Sequence, residues 1–161
     1  MKMPDRAAFD VALPLVLPEL VVEPTPAQAF MFSAATWNRH HIHYSRDAAV
    51  REGHADIVLQ RALLGNVFAR HVGAWLGAAG SVRRLAWKVV SSALPGQALR
   101  CNGVISGRAF DAPAAPPDAA TAPDATAEAA GPLLRYEAAL RDDAGRTIAT
   151  AQGVLCIHAP W

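Results

Sequence analysis

One long apolar stretch governs the folding options of this chain. Residues 56–77 (DIVLQRALLGNVFARHVGAWLG) repeat apolar side chains at helical spacing, and the segments that follow read mostly as strands. Leu59, Leu63, Val67, Arg70 and Leu76 mark one side of the expected helix; Leu64, Phe68, Val72 and Trp75 mark another. A helix apolar around so much of its circumference is expected to be largely buried. Gly65, Gly73 and Gly77 lower helix propensity but permit close approach of a packed sheet.

After Gly80 the period changes from helix to strand. Residues 82–93 read as a strand closed by the turn Leu94-Pro95-Gly96, and residues 97–108 as the next. Residues 133–141 and 146–158 form two more around Asp142-Asp143-Ala144-Gly145, a hairpin signal. Between the pairs, residues 111–132 are a low-complexity Ala/Pro/Asp/Thr segment with almost nothing to bury, expected to be a mobile insertion. An antiparallel sheet wrapped around one central helix satisfies this order, because the helix buries its apolar surface against the concave face. The expected fold class is α+β. No internal repeat is present, and 161 residues suit a single domain with a real core.

Upstream of the helix, apolar runs are broken at Pro14, Pro18 and Pro24, which predicts an extended lead-in with a short strand at 15–17 or 20–22. Thr25-Pro26 then supplies an N-cap followed by proline at the first helical position. Residues 27–36 follow as a short helix, with Phe30, Ala34 and Met31 as its candidate inward side chains. A second short helix over 47–52, capped by Ser45 or Asp47, is expected to end at Gly53.

Between those two helices lies WNRHHIHY, Trp37 to Tyr44. Three of the six histidines, one carboxamide and two large aromatics fall within eight residues. A packed core does not ask for this combination, because buried imidazoles and amides need partners. It concentrates groups that move or orient a proton near neutral pH, so it is the first candidate for chemistry. A zinc site from His40, His41 and His43 is disfavoured. Adjacent imidazoles point apart, no cysteine is near, and Asp47 is the only close carboxylate.

Hydrophobic residues at 52% and charged residues at 18% indicate a globular chain. A net charge of +1 gives no electrostatic case for nucleic acid or an anionic membrane. Cys101 and Cys156 fit neither zinc spacing nor a disulfide framework and read as buried strand residues. MKMPDRAAFD lacks the apolar core of a signal peptide and no run reaches membrane-span length, so a cytoplasmic location is expected. GAWLGAAG is glycine-rich without the strand–turn–helix setting of a nucleotide loop.

At the motif the chain resembles the MaoC-like acyl-thioester dehydratases and hydratases, which have the hot-dog fold. Many members carry Asp-x-Asn-Pro-(Ile/Leu)-His, and a mesaconyl-CoA hydratase-like branch carries Asn-x-His-Arg-Ile-His-Tyr-Asp. Asn38, His40, Ile42, His43 and Tyr44 match that branch, while His41 stands for its Arg and Ser45 for its Asp. The resemblance continues through REGHADIVLQRALL, where the family has a stretch ending in His-Gly-(Pro/Met)-Leu, and into RRLAWKVVSSALPG. It covers residues 20–157 apart from the low-complexity insertion.

The resemblance implies reversible hydration of a 2-enoyl thioester, with CoA or an acyl carrier thioester as substrate and no cofactor. It puts His43 on the general acid/base and Asn38 on the family's partner carboxylate. A carboxamide is no base, but its oxygen can accept from water and hold it in line. The oxyanion donor maps to the backbone at Gln60, Arg61 and Ala62, where the helix dipole would add to an N–H. Arg61 replaces the family's glycine, and its side chain either narrows the pocket or points outward to meet a CoA phosphate.

His40 and His41 read as supporting loop residues. Trp37 and Tyr44 read as packing that fixes the loop, with lining of an acyl pocket as the alternative. Arg84 and Lys88 share one face of their strand, either solvated or bound to CoA phosphates. The family implies an acyl-CoA substrate and a homodimer with a continuous sheet. A silent hot-dog subunit of a heteromeric dehydratase is the alternative that Arg61 favours. A hot-dog thioesterase, with Asp56 or Glu52 as its carboxylate, ranks below both.

Overall fold

The computed structural model describes residues 12–108 and 132–158. The element order is β1 (Leu15–Val16), β2 (Leu20–Val22), α1 (Pro26–Ala35), a 3-10 turn (His41–His43), α2 (Arg46–Arg51) and α3 (Arg61–Leu76). The strands β3 (Gly80–Val89), β4 (Leu99–Arg108), β5 (Leu133–Asp142) and β6 (Thr147–Ile157) follow. These strands form one antiparallel sheet in the order β1-β4-β5-β6-β3, with β2 also paired to β4. The expected α+β sheet around a helix is what forms. Its low-complexity insertion, all but Pro132, and the tail Pro160-Trp161 lie outside the described residues.

β1 and β2 are two pieces of one lead-in that runs along β4. Leu15 faces Ile105 and Leu20 faces Cys101. Pro18, between them, has no N–H to give the ladder, so a break there costs no hydrogen bond. The β5–β6 hairpin closes as expected, with the Gly145 N–H donating to the Asp142 carbonyl at 2.9 Å and Gly145 at φ +78°.

The central helix differs from expectation in two ways. It begins at Arg61, because residues 57–60 run extended beneath the 3-10 turn: the Val58 N–H donates to Ile42 and the Leu59 N–H to Ala93. It is also one-sided. Leu64, Gly65, Val67, Phe68, His71, Val72 and Leu76 are buried, while Arg61, Ala62, Asn66, Arg70, Gly73 and Ala74 are exposed. The sheet covers one face only.

Leu64, Val67 and Phe68 pack with Leu99, Cys101, Leu140, Ile148 and Ala151 at one end of the helix. Val72 and Leu76 pack with Leu17, Ile105, Tyr136 and Leu155 at the other. Cys101 and Cys156 are buried and unbridged, and burial pushes the Cys101 thiol up to about 12.

Inside this core His71 is 3% exposed. The Pro18 carbonyl, 2.9 Å from Nε2, can only accept, so Nε2 carries the proton and Nδ1 accepts from the Tyr136 hydroxyl at 2.8 Å. Gly103 makes room for the pair: a Cβ there would lie 2.8 Å from both rings. Both polar groups are satisfied, as burial requires.

Candidate active site

Helix α1 delivers the histidine loop. Thr25 caps it with a full capping box, its side chain accepting from the Gln28 N–H while Gln28 returns to the Thr25 N–H. The inward face is not the expected one. Ala29 and Ser33 are buried, whereas Phe30 is 58% and Met31 67% exposed, and Ala34 is exposed as well. α1 meets its neighbours through small side chains, and Phe30 turns outward to meet Tyr44 edge-on at 6.2 Å.

The helix ends in a Schellman arrangement. The Asn38 N–H donates to Ser33 at 2.9 Å and the Trp37 N–H to Ala34 at 3.4 Å, with Trp37 at φ +54°. Glycine usually occupies that left-handed position, and a bulky aromatic there is strained. Trp37 is 78% exposed and so does not pack to fix the loop, contrary to expectation. Tyr44 does hold it: its hydroxyl donates to the Arg39 carbonyl at 3.0 Å.

Beneath the loop, Ile42, Ala49 and Val58 form a small core with Leu94. Ile42 points down into it and His43 turns toward the strand-like run before α3. The imidazole Nδ1 lies 2.7 Å from the Val58 carbonyl. A carbonyl only accepts, so Nδ1 carries the proton and Nε2 keeps its lone pair. Desolvation lowers the pKa of His43 below its ordinary value; the Val58 carbonyl works against this, and nearby His40 and His54 add to it. His43 is therefore a neutral, oriented imidazole at pH 7, able to accept a proton at Nε2.

His40 crosses His43 edge-on at 5.7 Å and reaches Glu52, whose carboxylate lies 3.2 Å from Nε2. A cavity of about 290 Å³ opens beside them, lined by Arg39, His40, His41, Arg51 and Glu52. Asn38 is turned into its own loop, its Oδ1 accepting the His40 N–H at 3.2 Å. One lone pair of that oxygen remains for another donor. No hydrogen bond joins Asn38 to His43 among the described residues.

Residues 57–62 link His43 to the first turn of α3. Gln60 is the N-cap without a side-chain capping bond, and the first amide to close onto it is that of Leu64 at 3.1 Å. The amides of Arg61, Ala62 and Leu63 thus have no acceptor within the helix, and the helix dipole adds positive potential there. The Arg61 guanidinium neither reaches toward His43 nor stands free. It donates to the Trp87 carbonyl at 3.1 Å and sits 5.9 Å over the indole.

Asn38 and Tyr44 thus bond within the loop that carries His43, and His43 bonds to Val58 in the run that leads into residues 60–62. Arg84 and Lys88 lie apart from this loop. Both are exposed on the face of β3 away from α3, where Lys88 borders a depression of about 810 Å³ with Asn102, Glu137 and Thr150. Among the described residues no three His, Cys, Asp or Glu side chains form a metal-holding group. The Gln60 side chain was invisible as a site group in the sequence. It is an amide in an apolar run, and only its 1% exposure sets it apart.

Comparison with known proteins gives a consistent answer. The family model for hydroxyacyl-thioester dehydratase type 2 matches residues 16–95. No curated protein matches the chain by sequence. Among solved structures, it is similar to the ChsH1–ChsH2 complex of Mycobacterium tuberculosis at 19% identity and TM-score 0.70, covering 91% of this chain and 98% of that one. An (R)-hydratase from A. caviae involved in PHA biosynthesis matches at 13% identity and TM-score 0.71, covering 91% and 97%. The HadBC (3R)-hydroxyacyl-ACP dehydratase complex of M. tuberculosis matches at 13% and 0.63, covering 88% and 95%. The structural matches give the chain the hot-dog fold, and the family-model match over residues 16–95 supports the MaoC-like hot-dog family of acyl-thioester dehydratases and hydratases.

Proposed function

We propose that this chain adds water reversibly across the double bond of a 2-enoyl thioester, with CoA as the carrier. In hydration, His43 Nε2 takes a proton from water as the hydroxyl oxygen bonds to C3. The same imidazole then returns a proton to C2, so water is added and no redox partner is needed. Asn38 orients the water with the free lone pair of its carboxamide. The unpaired amides at the start of α3 receive the negative charge that builds on the thioester oxygen. The observation that carries this reading is the His43–Val58 bond, which fixes the proton on Nδ1, leaves Nε2 to accept, and ties the imidazole to the run that enters that helix.

A homodimer in the cytoplasm belongs to the same proposal. The homodimer is supported by the outer edge of β3, which pairs with no strand among the described residues, and by exposed Phe30, Met31 and Trp37. The second reading, a silent subunit of a heteromeric dehydratase, draws on Asn38 Oδ1 already accepting a bond within its own loop. Loss of the enoyl-thioester absorbance band with crotonyl-, longer enoyl- and mesaconyl-CoA separates the two. Turnover that falls roughly a hundred- to ten-thousandfold in His43→Ala supports the enzyme. A folded dimer that hydrates none of them supports the silent subunit.

A further inference from the structure

Gln60 joins the two halves of the candidate site. Its Nε2 donates to the Ala29 carbonyl at 2.6 Å and to the Ser33 hydroxyl at 2.8 Å, both on α1. Ser33 in turn accepts the Asn38 N–H on its carbonyl at 2.9 Å. On its other side Gln60 is the N-cap of α3, so its backbone sets where the free amides of that helix begin. Two bonds through one carboxamide and one serine therefore tie the residue that would orient water to the amides that would hold the oxyanion.

The pin is not what stability alone would select. Gln60 is 1% exposed, and its Oε1 is the buried side-chain atom left without a partner among the described residues. Turning the amide over does not help, because Oε1 would then face the Ala29 carbonyl, an acceptor. A buried acceptor with no donor costs stability and offsets part of what the two bonds to α1 contribute. Such a cost is kept where a group has another task, and exact placement of reacting groups is a task of that kind.

We infer that Gln60 is a positioning residue: it sets the separation between the Asn38 loop and the first turn of α3, on which the hydration proposed above rests. Gln60→Met keeps the length and volume of the side chain while removing both donors. Gln60→His keeps a ring N–H that can reach α1. The expected result is a Gln60→Met protein that still folds, with kcat for enoyl-CoA hydration down ten- to a hundredfold and KM within twofold. Gln60→His is expected to recover most of kcat.

Wild-type kcat in a folded Gln60→Met protein overturns the inference, as does a loss that Gln60→His shares in full. Backbone amide spectra decide the matter apart from turnover. Gln60→Met is expected to shift the Arg61, Ala62 and Asn38 resonances together and to speed hydrogen exchange at the Asn38 amide. If the wild type hydrates nothing, the functional proposal has failed, and these spectra still show whether Gln60 couples the loop to the helix. Unmoved Asn38 and α3 amides overturn the coupling.

Discussion

Trp87 and Arg61 hold each other by a reciprocal pair of bonds. The indole N–H donates to the Arg61 carbonyl at 3.0 Å, and the Arg61 guanidinium donates to the Trp87 carbonyl at 3.1 Å. The large side chain at the helix start is thereby laid along β3, which leaves the Arg61 N–H free of its own side chain. Gly65, one turn on, makes the arrangement fit, since a Cβ there would clash with the Trp87 indole ring. Gly65→Ala is therefore expected to lower stability by about 1–3 kcal/mol, read from urea melts. In a Trp87→Leu background most of that cost is expected to vanish, because the clashing ring is gone.

Hydration should follow the neutral form of His43. Desolvation, the largest influence, moves its pKa below the ordinary 6.5, and His40 and His54 add to it. The catalytic base is the unprotonated ring, so kcat/KM is expected to be level near neutrality and to fall only as pH drops below 6.5. His40→Ala removes one of the charges that lower the pKa, so the acid limb should move upward. A limb that stays fixed, or one above 6.5 in the wild type, would contradict the geometry around His43.

Trp37 separates packing from substrate contact. Its left-handed backbone favours glycine and its ring is exposed, so Trp37→Gly is expected to raise stability by up to about 1 kcal/mol in thermal melts. If the indole lines the acyl path, the same variant raises KM for longer enoyl thioesters and leaves crotonyl-CoA unaffected. Equal KM values across chain lengths assign the ring no part in substrate binding.

The buried His71–Tyr136 pair makes its own contribution to stability. Tyr136→Phe leaves Nδ1 without its donor and is expected to cost about 1–3 kcal/mol by chemical denaturation. Burial lowers the pKa of His71 below 6.5, so the folded state favours the neutral ring. Its contribution is complete above pH 6.5 and is lost as pH falls through the lowered folded-state value. Melting temperature measured from pH 7.5 down to 5 should decline on the acid side.

By itself the sequence determined what depends on neighbours along the chain. Helical spacing in residues 56–77, alternation in the four long strands, the Thr25-Pro26 cap and the Asp-Asp-Ala-Gly turn are local signals, and each element forms within or close to its signal, the helix only from Arg61 and the 82–93 strand only to Val89. The motif around Asn38 and His43 was legible for the same reason, since eight consecutive residues carry it.

The tertiary structure decided what depends on which face is covered. Phe30 and Met31 turn outward because the face of α1 that meets Gln60 is the one carrying Ala29 and Ser33, four residues apart. Residues 57–60 are extended rather than helical because the Ile42 and Ala93 carbonyls accept the Val58 and Leu59 amides across the fold, and His43 donates to the Val58 carbonyl. The proton on His43 is fixed at Nδ1 by a carbonyl fifteen positions along the chain. Burial and hydrogen-bond partnership are set by segments distant in sequence, so no local pattern encodes them.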